Sequence, residues 1–124
     1  MKNLHLILSS LIIIPIALAY GMSPGITLPL LFDITPGPDT CNIFRAVMGL
    51  YLGITLVMIT GVFKPGYWET ATIVNMVFMG GLALGRVISF ALDGMPSPVL
   101  VAGFAIECVL AAMACFNWTK YKTR

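Results

Sequence analysis

Apolar residues run almost unbroken over four stretches: Leu4 to Met22, about Ile43 to Phe63, about Thr70 to Leu92 and about Val99 to Trp118. Each stretch meets the ~20 residues that an α-helix needs to cross a bilayer core. The pattern predicts an all-α integral membrane four-helix bundle, one transmembrane domain over residues 1–124. The first run has a competing reading as a signal peptide, because Lys2 precedes it and Ala17-Leu18-Ala19 resembles a cleavage site. Its length suits a full span, and Pro15 is an interruption that membrane helices tolerate, so it is kept as the first helix.

Between the first two runs the pattern breaks. Ser23 to Asn42 carries Pro24, Pro29, Pro36 and Pro38 together with Asp33 and Asp39. Proline at that density opposes a continuous helix, so the segment is expected to be a proline-rich outer loop. Ile26 to Phe32 is still apolar, which places that part at the interface or against the bundle. Lys64-Pro65-Gly66 and Asp93-Gly94-Met95-Pro96-Ser97-Pro98 read as tight turns. Tyr67 and Trp68 follow the first of these, where an aromatic belt belongs.

Four spans put both termini on one side, and the charges then sort themselves. Lys2, Lys64, Lys120, Lys122 and Arg124 fall on the terminal side, whereas Arg45 and Arg86 lie opposite with Asp33, Asp39 and Asp93. This asymmetry follows the positive-inside rule and predicts cytoplasmic termini in a multi-pass membrane protein. Composition agrees, with 59% hydrophobic and 10% charged residues, against the about 25% charge of a soluble domain. A net charge of +2 without a basic block excludes a nucleic-acid surface.

Polar residues inside the spans carry the remaining chemistry, since an ionisable group in hydrocarbon must face protein, water or a partner charge. Arg86, Ser89 and Asp93 share one face of the third helix, and Asn75 lies eleven residues before Arg86, close to the same face. At 1.5 Å per residue Glu107 sits ~13 Å below the outer end of the fourth span and Arg86 ~9 Å below that of the third. The two are expected to pair. That pair either fixes helix register or belongs to a ligand or proton site open to the outer face. Arg45 also enters from the outer side, where two arginines and three aspartates could form a salt-bridged lid or hold an anionic head group.

Gly49 and Gly53 in the second span, and Gly81 and Gly85 in the third, form two G-x-x-x-G patterns that let another backbone approach. Packing within the bundle is the expected use, with contact to another chain as the alternative. His5 is the only histidine, and Cys41, Cys108 and Cys115 form no C-x-x-C pair. No haem, zinc or other cofactor site is therefore expected. Cys108 and Cys115 share a helical face as small packing residues, and the eight Met residues read as core filling. The Asn117-Trp118-Thr119 glycosylation pattern abuts the membrane and is set aside. No motif supplies a nucleophile, base and oxyanion hole, so no enzyme is expected.

Asn42-Ile43-Phe44-Arg45-Ala46, Gly49-Leu50-Tyr51, the stretch from Phe78 to Ser89, Asp93-Gly94-Met95-Pro96-Ser97 and Glu107 form a recognisable set. From Tyr20 to its end the chain resembles the domain of unknown function 4345 family, small and mostly bacterial four-helix membrane proteins. The Gly-Arg-x-x-Ser…Asp-Gly-x-Pro-Ser stretch is the most specific part, and the proline-rich Ile34 to Asp39 segment departs from the pattern. The resemblance implies a fold and signature polar residues but no activity, substrate or cofactor. Two classes remain: the favoured one is a non-catalytic accessory or structural subunit, in contact with lipid and with other membrane subunits or its own copies, and the alternative is a small carrier or ligand-binding bundle in which Arg86, Glu107 and Asn75 line a pocket.

Overall fold

The computed structural model describes residues 1–123; Arg124, one of the basic residues assigned to the terminal side, lies outside the described residues. Helix α1 spans Leu4–Gly21, α2 Pro24–Phe32, α3 Pro38–Phe63, α4 Trp68–Asp93 and α5 Pro98–Tyr121, with a short 3-10 turn at Pro65–Tyr67. No strand occurs among the described residues. Four of the five helices are long and apolar enough to cross a membrane, and α2, at nine residues, is too short to do so.

Proline behaves differently from expectation. Pro24, Pro38 and Pro98 open α2, α3 and α5 in their first turn, where the missing N–H would have had no intrahelical partner and the ring presets φ. The segment read as loop therefore contains helix α2, and α3 begins at Pro38, five residues before the expected Ile43. Asp33 ends α2 in the left-handed region (φ 57°, ψ 35°), and its N–H returns to the Pro29 carbonyl at 3.1 Å. Gly94 ends α4 differently, at positive φ (87°) but with an extended ψ of -174° that glycine adopts freely.

The four long helices pack in the cyclic order α1, α3, α4, α5, with α5 closing against α1, and α2 rests on α1 and α3. The chain ends and the α3–α4 turn share one end of the bundle, here the terminal end; α2 and the α4–α5 connection occupy the loop end. At the terminal end packing is close. Leu6, Met58, Trp68, Ala71 and Ala114 are buried there or toward mid-bundle, and Gly61 of α3 meets α4 so closely that a Cβ would collide with the Ala71 methyl. Toward the loop end α1 stays close to α3, Gly21 against Met48, but α4 and α5 part from α1: α4 buries nothing after Met79 and α5 nothing before Glu107.

The outer surface is apolar, with Leu11, Leu50, Leu56, Val77, Leu84 and Phe116 all exposed. Such continuous exposure is what a helix surface in lipid presents. At the terminal end each lysine lies over an aromatic ring: Lys2 over Trp68 at 4.3 Å, Lys64 over Tyr67 at 6.0 Å, Lys120 over Tyr121 at 5.2 Å and Lys122 over Trp118 at 4.0 Å. Ammonium groups stacked on amphipathic rings suit the headgroup layer.

Candidate functional site

Where α4 and α5 part from α1, the helices line a partly open cavity of about 160 Å³. Ile13 and Ile16 of α1, Leu82 of α4 and Leu110 of α5 contribute to an apolar wall, and Leu31 and Phe32 of α2 reach it from the loop end. Tyr20, Tyr51, Arg86 and Glu107 supply its polar groups. Tyr20 anchors an aromatic cluster, its ring centroid 5.5 Å from Phe44, 6.1 Å from Tyr51 and 6.2 Å from Phe32.

Arg86 and Glu107 meet across the α4–α5 interface as the sequence depths require. Nε donates to Oε2 at 2.7 Å and Nη2 to Oε1 at 2.8 Å, a two-pronged ion pair with side chains 24% and 11% exposed. It is the single salt bridge among the described residues. Gly103, one turn before Glu107 on α5, leaves the guanidinium uncovered on one side: a Cβ there would stand 3.7 Å from Nη2 and 4.0 Å from Cζ.

The other expected partners lie elsewhere. Asn75 is ~16 Å along α4 from Arg86, in the tight half, where its amide points to the His5 carbonyl at 3.5 Å; sharing a face did not bring it to the same depth. Ser89 donates to Asp93 at 2.9 Å on the exposed side of α4. Arg45 forms no lid with the aspartates, because Nη1 donates to the Gly21 carbonyl at 2.9 Å and so satisfies an acceptor that the end of α1 leaves free.

Apart from its chain neighbours and the nearby backbone of its own helix, no described residue lies within 4 Å of a Cβ placed at Gly49, Gly53, Gly81 or Gly85. The expectation that these glycines pack inside the bundle is thus corrected: all four point outward, and the close approaches occur at Gly21, against Met48, and at Gly61. Cys108 and Cys115 likewise face outward instead of packing, and all three cysteines are free.

A second polar group, not anticipated from the sequence, ties the terminal end together. His5 is fully buried. The Asn117 amide nitrogen donates to its Nδ1 at 2.8 Å, which leaves the ring proton on Nε2 to donate to the Thr72 hydroxyl at 3.0 Å. Trp68 stands edge-on to the ring at 6.1 Å and donates from Nε1 to the Lys2 carbonyl at 3.3 Å. Ser9 Oγ of α1 and Asn75 Oδ1 of α4 are buried nearby without a partner among the described residues. The signal was present as four polar residues near one end of three helices, His5, Thr72, Asn75 and Asn117. Matching their depths, as for Arg86 and Glu107, would have found them.

Fold and site together define a small helical bundle with four helices of membrane-crossing length and an ion pair on an internal apolar cavity. A family model described as "Domain of unknown function (DUF4345)" matches residues 1–118, and the chain belongs to that family. The match takes in α1 as well as the region from Tyr20 to Trp118, which holds every motif that carried the resemblance. No curated protein and no solved structure matches the chain.

Proposed function

We propose that this is a multi-pass protein of a bacterial inner membrane, its termini cytoplasmic, that takes a small apolar molecule from the bilayer into the cavity and holds it there without transforming it. The observation that carries the reading is the cavity itself, about 160 Å³ of apolar space with one ion pair in its wall. Apolar cavities of roughly 150 Å³ stay dry and accept a benzene-sized guest, and binding pockets characteristically combine apolar walls with a few convergent polar groups. The cytoplasmic assignment rests on four lysines at the terminal end against two arginines, both engaged by protein groups, at the loop end.

Photolabelling tests the reading. A decane carrying an aliphatic diazirine, added to the protein in phosphatidylcholine nanodiscs, is expected to label Ile13 and Leu110, which are buried in the cavity wall. Label restricted to the lipid-facing Leu56 and Val77 overturns it. A second reading, an accessory subunit of a larger membrane assembly, is favoured by the two outward glycine faces. Recovery of a stoichiometric partner from mild detergent, lost in Gly81→Leu, would support that role.

A further inference from the structure

We infer that the cavity selects an uncharged amphiphile whose head presents a carbonyl or hydroxyl oxygen to Arg86; the inference rests on the cavity-binding reading above. Glu107 cancels the charge of Arg86 but engages only two of its five N–H groups. The others have no acceptor among the described residues, and they are the donors that a ligand oxygen can satisfy.

Three features fix the head group. An anionic head would add a net negative charge to a neutral pair in hydrocarbon, and a cationic head a net positive one, so both are disfavoured. A head with no polar atom leaves the guanidinium N–H groups unpaired in a dry space, which carries a penalty of its own. The seat is also physically open, because Gly103 puts no side chain beside Nη2. Tyr20 and Tyr51 add two phenol rings to the same wall, and neither hydroxyl has a protein partner among the described residues.

Size fixes the body. The cavity has room for one six-membered ring or about six carbons of chain, so a longer tail must leave it. A second, more open hollow beneath α2 shares Tyr20, Leu31, Phe32 and Leu100 with the cavity. Its volume is about 670 Å³. The tail of a longer ligand passes these four residues toward the bilayer while the head stays on Arg86.

Equal-length diazirine probes test this in phosphatidylcholine nanodiscs: decane, 2-decanone, decan-1-ol and decanoate, scored by the concentration giving half-maximal label on Ile13 and Leu110. The ketone or the alcohol is expected to act at about tenfold lower concentration than decane, and the better of the two identifies carbonyl or hydroxyl as the preferred head. Decanoate should do no better than decane. Gly103→Leu should erase the neutral-head advantage while leaving the Arg86–Glu107 pair in place. Glu107→Gln, which leaves the guanidinium uncompensated, should make decanoate the preferred probe. Equal labelling by decane and the neutral-head probes, or wild-type preference for decanoate, overturns the head-group inference alone. Failure of every probe to reach Ile13 and Leu110 overturns the cavity reading and the inference with it.

Discussion

Arg86 and Glu107 each become an unpartnered charge in an apolar half-bundle if the other is removed. Arg86→Met and Glu107→Gln should therefore each lower stability by about 3–5 kcal/mol, whereas the double change recovers most of the loss. Melting of the four proteins in one detergent checks this; small additive effects would show that the pair adds nothing to the fold. This pair was legible in the sequence because two charges in apolar runs restrict each other, and depth arithmetic on antiparallel spans suffices to match them. His5 was not legible, because a single histidine was weighed as a metal ligand and dismissed, although its partners Thr72 and Asn117 are neutral amide and hydroxyl groups. His5→Leu leaves both without their acceptor or donor, at about 1–3 kcal/mol for each buried group left unsatisfied. The same melting assay should show that loss, and an Asn117→Leu change made on top of it should add little, since the bond it removes is already gone.

Between helices, the outcome turns on which glycines meet a neighbour. Gly61→Ala should separate α3 from α4 and destabilise the bundle, because the new methyl meets Ala71 with no flexible atom to yield. Gly81→Ala should leave monomer stability unchanged or slightly higher, by the helix propensity gained, about 1 kcal/mol at most. A glycine pair at i, i+4 states only that one face is narrow; it does not say whether that face looks inward, which is why the spacing misdirected the reading here. Proline misdirected it similarly. Breaker chemistry and first-turn chemistry use the same residue, and only the backbone around Pro24 and Pro38 separates them. The end of α2 offers a sharper test: Asp33→Gly should be neutral or mildly stabilising, while Asp33→Val should cost about 1–2 kcal/mol, since a β-branched residue resists positive φ.

For the molecule as a whole, four spans and their charge asymmetry were readable from apolar run lengths and lysine positions. With Cys41, Cys108 and Cys115 first replaced by alanine, Gly94→Cys should react with an impermeant maleimide added to intact cells and Lys122→Cys should not. The reverse pattern would invert the bundle. The parting of α4 and α5 from α1 at the loop end was beyond the sequence, because all four runs are strongly apolar and nothing in their spacing says where facing side chains fail to fill the space between them. That unfilled space has a mechanical consequence. A void of about 160 Å³ corresponds to about 100 mL/mol, the upper end of the volume changes that make folded proteins yield to compression. Hydrostatic pressure should therefore collapse or flood the loop half of the bundle at pressures that leave the terminal half intact, and a guest filling the void should make the whole structure stiff against the same load.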